Sequence, residues 1–450
     1  MQIWRRRVAV YDGPTEDMCG AGTMTGYKRL RVFFPDHLGL ARGKYIPAAQ
    51  VSTHANCCIS VFALTLDRTL NSVPSLKMLE GFPNCKATFS PTDIRPGWEP
   101  DTGVVVADLD FRGTPLAISP RHALRRAIAD WEELGFTSKL GIELEAYVLQ
   151  SDGRGRWKAW DTPGAFLYGT GPAVDPVGLF DEVMQTAERC GLPVESINSE
   201  FHPPQFELTL KFGDALEAID DIFLFKIMAR EIAAKHGLLL TYLGKPFSDQ
   251  CGSGMHVNLS LTDEEGRNAL SNPIAEDGLS SLAHGCIAGL IAHHSGLAAL
   301  CAPTVNAYKR LRPGTFAGYW ANWGYDHRGA TVRVPSDRCS GTRLEHRMSD
   351  GAANPYLASS AVMQAARLGV VHKLSPPPPE NQNCIKQQST DQHVPDDLGS
   401  ALDALENDEQ LVEAVGKEMV TLFVAIKRAE WEKFAAYVTD WELSHYLPFL

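Results

Sequence analysis

The chain contains no CxxC pair, and its ten cysteines lie scattered from Cys19 to Cys384 without a regular framework. That spacing argues against a zinc module or a disulfide scaffold, and reads instead as reduced thiols in a cytoplasmic protein. No apolar run reaches the ~20 residues of a spanning helix. The opening MQIWRRRVAVYDG lacks the apolar centre of a secretory signal, so a soluble cytoplasmic protein is expected. Internal repeats and long charge blocks are missing too. Nor is there an excess of positive charge: the formal net charge is −12. A surface of that sign disfavours nucleic acid or an anionic membrane as partner, although a local group of arginines can still hold a small anion.

What is present is a 450-residue chain, 44% hydrophobic and 21% charged, long enough for two or three domains. Residues 1–26 carry little pattern and read as an extension. GYKRLRVFFPDHLGLARGKYIPA reads as two strands around a turn at Pro35 to Leu40, and Gly103 to Ala107 as a buried strand. A small domain is expected over 27–117. Ser119-Pro120 marks a helix start, with Leu124, Ile128, Trp131 and Leu134 on its apolar face. Helices are also expected over 178–190, over 214–236, in about twenty residues ending near Cys301, and along Leu411, Val415, Met419, Leu422 and Ile426. SPPPPENQN cannot be regular structure. This alternation predicts a catalytic domain over 118–450 that mixes helices and strands.

Four strand-like segments place polar groups at a two-residue period. KLGIELEAYVL puts Glu143 and Glu145 on one face, about 6.5 to 7 Å apart along the strand. PPQFELTL does the same for Gln205 and Glu207, GSGMHVNLSL for His256, Asn258 and Ser260, and TRLEHR for Arg343, Glu345 and Arg347. Any one such strand is explained by an ordinary solvent face. Four together suggest one site, because buried charges persist only when paired or bound to metal. Glu143, Glu145, Glu200, Glu207 and Glu345 with one imidazole form an oxygen-rich set suited to Mg²⁺ or Mn²⁺. Carboxylates around metals with arginines beside them are what phosphoryl transfer requires. No Walker A sequence occurs, so a nucleotide would have to use this sheet.

The succession RGKYIP, GIELEAYVL, SEFHPPQFEL, GSGMHVNLSL, NAYKRLRPG, HRGATVRVP and RLEHRMSDGAANPYL resembles the glutamine synthetase family, from about residue 27 to the C-terminus. The resemblance implies an α+β fold: an N-terminal β-grasp domain, then a catalytic domain whose curved antiparallel sheet is flanked by helices. It implies homo-oligomeric stacked rings, with a dodecamer expected and active sites between subunits. It implies ATP with Mg²⁺ or Mn²⁺ as cofactors, and glutamate and an amine as substrates. Carried over position by position, Glu145, Glu200 and Glu207 match the metal site nearer the amino acid. Glu143, His256 and Glu345 match the one that bridges nucleotide phosphates. Arg310 and Arg347, with Gly252, match groups holding glutamate, and Arg328 the arginine against the transferred phosphoryl group. Arg333, Arg343, Asn258 and Ser260 fall on the nucleotide side, and Arg328, Glu207 and Arg310 are the expected catalytic set.

The departures point away from ammonia. Members using ammonia carry a DGSS segment in the N-terminal domain and a glutamate in a PGYEAP flap. Here no DGSS occurs between Ala49 and Asp108, and the flap reads PGTFAG with Phe316 in the acid's place. That pattern resembles the gamma-glutamylamide branch. Tyr319, Trp320 and Trp323 could line an amine pocket or simply pack. Cys251, Asn258, His327 and Pro204 also depart from the family pattern. The expected activity is a glutamate-amine ligase acting through γ-glutamyl phosphate. Glutamine synthetase proper, a non-catalytic assembly protein and a phosphagen-type kinase are the alternatives.

Overall fold

The computed structural model describes residues 26–162 and 164–450; all but the last residue of the expected extension lies outside that range. Two four-stranded sheets form the N-terminal part. In one, Ala41–Pro47, Arg29–Pro35, Thr102–Val106 and Arg95–Pro96 lie side by side. The two strands expected around Pro35 to Leu40 are there, paired antiparallel from Arg29↔Pro47 to Pro35↔Ala41. Thr102–Val106 is buried along its whole length and runs parallel to Arg29–Pro35. A continuous apolar run in the middle of a sheet, covered on both faces, is what such burial requires. The other sheet orders His54–Cys58, Asn84–Thr88, Asp108–Phe111 and Thr114–Pro115.

The larger sheet has ten strands and is built on Thr137–Ser151. Its path runs Val194–Ser199, Gln205–Leu210, Thr137–Ser151, Met255–Thr262, Leu344–His346, Val332–Val334, Trp323–Tyr325. Every pairing is antiparallel except the last, between Trp323–Tyr325 and Val332–Val334, which is parallel. Ile142, Leu144 and Ala146 are buried on the face away from the glutamates, as the alternation predicts. Helices flank this sheet, so the chain has the expected α+β class.

Helix Ala215–Lys235 packs Ile222, Phe225 and Met228 into the core and carries acidic residues that tie the parts together. Asp220 accepts bonds from Arg121 at 3.0 and 2.7 Å and from the Tyr356 hydroxyl at 2.6 Å. Arg31 of the first sheet reaches Glu231 on the same helix through two parallel bonds of 2.9 and 2.8 Å, the fork geometry that suits a guanidinium and a carboxylate.

Several expected elements are divided. The segment ending at Cys301 is two helices, Ser281–Ala292 and His294–Cys301, broken at His293, whose Nδ1 lies 2.7 Å from Asp408. Leu411, Val415, Met419, Leu422 and Ile426 are all buried, but Gly416, at φ +121°, separates Glu409–Val415 from Lys417–Ala435. That left-handed φ is one glycine adopts without the steric cost a side chain adds. The first helix runs Pro120–Glu132; Ser119 precedes it without a side-chain cap, and Leu134 lies beyond its end, 39% exposed. Among the described residues no helix is long and apolar enough to cross a membrane.

Candidate active site

Strand register builds the site. His256 stands directly opposite Glu143, Glu207 opposite Glu145, and Glu345 between Asn258 and Arg333. Opposed residues share a face with side chains in reach of one another. The four polar faces seen in the sequence therefore join across four neighbouring strands, with Arg333 on a fifth.

Glu143, His256 and Glu345 form the tightest group. Their ligand-type atoms lie within 4.8 Å of one another, the one such group of three among the described residues. The His256 Nδ1 is 3.3 Å from Glu143 and 3.4 Å from Glu345. Burial would raise the Glu143 carboxyl, but bonds to His256 and Asn258 and the charge of Arg347 outweigh it and hold it below its ordinary range. Glu345 is fully buried and sits between two guanidiniums, with Arg333 Nη1 at 2.6 Å and Arg347 on its other oxygen. Two oxygens and one imidazole nitrogen at this spacing fit a hard divalent cation.

Glu145, Glu200 and Glu207 line one cavity without closing to that spacing. One oxygen of Glu145 is committed to the Gly254 N–H at 2.7 Å and the Gln205 amide at 3.3 Å. Glu207 is pushed up to about 8, first by burial and then by Glu143, Glu145 and Glu200, with Arg328 pulling the other way. So much unneutralised carboxylate in one place fits a cationic occupant.

The cavity, of 480 Å³, is also lined by His256, Arg310, Arg328, Arg347, Gly252 and Phe316. Arg310 is buried and donates to the carbonyls of Met348 at 2.8 Å and Arg347 at 3.2 Å. Arg347 donates to the Phe316 carbonyl at 3.2 Å, while its Nε is buried without a partner. Arg328 is exposed at the mouth.

The remaining candidates extend to one side. Asn258 donates to Glu143 at 3.1 Å and accepts from Arg343 Nε at 3.3 Å, so a neutral amide links a metal-type carboxylate to an arginine. Ser260 follows on the same face, half-buried opposite Lys139. Arg333 also reaches Asp326, with its Nε at 3.1 Å.

The glycines of GSG make room for Arg310 while Gly252 still lines the cavity. A Cβ on Gly252 would lie 2.6 Å from the Arg310 Cγ, and one on Gly254 2.6 Å from its Nη2 and 2.9 Å from His256 Nε2. Of the two readings of Tyr319, Trp320 and Trp323, packing is the one that fits, since none of them lines the cavity. Tyr319 stacks on His393 at 5.1 Å, and the two indoles donate to Cys384 at 3.0 Å and Pro377 at 2.7 Å. These aromatics pack against the connection around Pro377, which gives that irregular stretch its anchor. The side chains that do reach the cavity are Leu167, Tyr168 and Phe201, together with Phe316. The first three sit in loops without periodicity, so no sequence pattern marked them.

A second cavity, of 570 Å³, lies between the first N-terminal sheet and the helices Pro120–Glu132 and Ala215–Lys235. Its arginines are paired, Arg95 with Asp221 and Arg121 with Asp220. The chemistry-bearing residues are in the other one.

The family model for the glutamine synthetase catalytic domain matches residues 117–446. The glutamine synthetase of Clostridium saccharobutylicum is 32% identical over 449 residues, covering 96% of this chain and 98% of that protein. That of Methanosarcina mazei is 30% identical over 446 residues, covering 97% and 98%. A solved structure described as apo GmaS without ligand superposes with a TM-score of 0.81 at 29% identity, covering 94% of this chain and 97% of that one. A GmaS/ADP complex gives 0.82 at the same identity and coverage.

Proposed function

This chain belongs to the glutamine synthetase family of ligases, whose members use ATP and divalent metals, and on that premise we propose that it joins the γ-carboxylate of glutamate to an organic amine. The observation that carries the choice of acceptor is Phe316. It stands half-exposed at the cavity in the position where ammonia-using members carry an acid. A ring there cannot take a proton from NH₄⁺ as a carboxylate can, and it offers contact to a carbon substituent. The likeness to GmaS supports the same branch, and the GmaS/ADP complex supports a nucleotide as co-substrate.

In this reading Glu143, His256 and Glu345 hold one cation, and Glu145, Glu200 and Glu207 a second. Bound there, the cations neutralise phosphate oxygens. Arg347 and Arg310, which both line the cavity, receive the α-carboxylate of glutamate. Arg328 faces the phosphoryl group as it moves, and Arg333 and Arg343 stand on the nucleotide side, with Asn258 and Ser260. Activation is needed because a carboxylate is a poor electrophile; as γ-glutamyl phosphate it has a leaving group, which the amine displaces. Closure of the mouth over the acyl phosphate would keep water from competing. Ring assembly with sites between subunits belongs to the same proposal. It is supported by the exposed apolar end of the chain, where Trp441, Leu447 and Phe449 are 62, 67 and 85% accessible.

The test is phosphate release with glutamate, ATP and Mg²⁺, with products weighed by mass spectrometry. A γ-glutamylamide of an organic amine is expected; turnover with ammonia alone would make this a glutamine synthetase instead.

Metal and proton binding should also be linked. With Glu207 near 8 in the folded chain against an ordinary 4.5, the unfolded chain releases a proton that the folded one keeps. Stability of the metal-free protein should therefore fall as pH rises from about 4.5 to about 8. A cation bound by the ionised cluster offsets that loss. Mg²⁺ should raise the melting temperature more at pH 8 than at pH 5.5, and an equal rise at both would count against a carboxylate site centred on Glu207.

A further inference from the structure

The proposed reaction accounts for the polar floor of the cavity and leaves its rim unexplained. Leu167, Tyr168, Phe201 and Phe316 expose 38, 66, 65 and 55% of their surface there. Four large apolar side chains from three separate segments, converging on one mouth, form a patch of the kind that marks a binding site.

The wall is built, not loose. Ser199, buried at the end of strand Val194–Ser199, donates its hydroxyl to the carbonyls of Phe166 at 2.6 Å and Gly169 at 3.2 Å. Its own carbonyl accepts the Tyr168 N–H at 3.0 Å. One serine thus clamps the loop carrying Leu167 and Tyr168 against the segment carrying Glu200 and Phe201. Tyr168 is held at φ +58°, a conformation uncommon for a bulky residue and one that persists only where the surroundings impose it. At the same cavity, Phe316 is fixed through its carbonyl by Arg347, the arginine that also pairs with Glu345. The Phe201 ring lies 5.3 Å from that of His202, whose Nδ1 is 3.1 Å from Cys251 Sγ.

We propose that this wall is the subsite for the substituent of the acceptor, and that the acceptor is a primary amine bearing an aryl or arylalkyl group. The inference rests on the ligase reading above and adds the substrate class to it. The amine nitrogen attacks the γ-carbonyl carbon of γ-glutamyl phosphate, the C–N bond forms as the C–O bond to phosphate breaks, and one N–H proton passes to a carboxylate of the cavity. Meanwhile the substituent lies between Tyr168 and Phe201 on one side and Phe316 on the other. A flat ring gains aromatic contact there. Methylamine presents a single methyl group to this wall, and a straight-chain amine has no flat face to match its rings.

The test compares ammonia, methylamine, putrescine, isobutylamine and benzylamine with glutamate and MgATP on the intact enzyme. The expected kcat/KM for benzylamine exceeds that for methylamine by about tenfold or more, the discrimination that burial of several methylene equivalents supplies. In Phe201→Ala and Tyr168→Ala the benzylamine-to-methylamine ratio falls about tenfold, and in Phe201→Leu it falls less. Thermal melts and the oligomeric state are followed in parallel. A preference for methylamine or putrescine in the wild-type protein overturns the inference and leaves the ligase reading standing. So does a ratio unmoved in both alanine variants, and dissociation of the assembly in those variants would identify the wall as a subunit contact. Turnover with ammonia alone overturns the ligase reading for organic amines, and this inference with it.

Discussion

Glu345→Ala is expected to remove metal-dependent nucleotide binding and to destabilise the fold by about 3 to 5 kcal/mol, the usual cost of leaving a buried charge without its partner. Both effects have one origin. Glu345 has no solvent exposure, neutralises Arg333 and Arg347, and contributes an oxygen to the group with Glu143 and His256. Alanine leaves two guanidiniums facing each other across a vacated space, and the cation site loses one of three donors. Glu345→Gln keeps the shape and two hydrogen-bonding atoms, so it should be less destabilised while still failing to bind metal tightly. Calorimetry with ATP and Mg²⁺, beside urea denaturation, separates the two losses. Metal-dependent ATP binding within twofold of wild type in Glu345→Ala would rule this group out as a cation site.

Arg328→Ala should behave in the opposite way, with a fall in kcat of about 10² to 10³ and no measurable change in melting temperature. Its side chain is exposed at the mouth of the cavity and acts on Glu207 through its charge. A charge that matters only as the phosphoryl group moves lowers kcat and kcat/KM together, with little effect on KM for ATP. The neighbouring His327 supports it, since its Nε2 lies 2.8 Å from the Gln382 carbonyl and its Nδ1 accepts the Gly329 N–H at 3.1 Å. An equal loss of affinity for ATP in the ground state would instead place Arg328 among the nucleotide-holding groups.

The alternation of Glu143 with Glu145, and of His256 with Asn258, was legible because a strand with one polar face inside a long chain is costly to explain otherwise. The pairing of those faces was not. Which residue stands opposite which depends on register, and register is fixed by the apolar side of the sheet, where Ile142, Leu144, Val257 and Leu259 pack. Helices were visible by period, but their breaks were not, because His293 and Gly416 interrupt the chain without interrupting the apolar pattern. Three aromatics close in sequence invited a pocket at Tyr319 to Trp323, yet the chain there turns them into its own packing. The aromatics that do face the cavity came from segments more than thirty residues apart, brought together by the hydroxyl of Ser199.

The strand Thr137–Ser151 bears on how this protein acquires and loses its activity. Along its two edges it pairs with segments between Trp157 and Thr262, and through Met255–Thr262 it reaches Leu344–His346. Some two hundred residues of chain must therefore be gathered before Glu345 meets Glu143, which makes closure a late and slow event in folding. The same arrangement protects the finished site. With Glu143 and Glu145 paired on both sides, no fraying of an edge can release them, and amide exchange at these positions is governed by unfolding of the whole sheet. Loss of activity on heating is then all-or-none for each molecule.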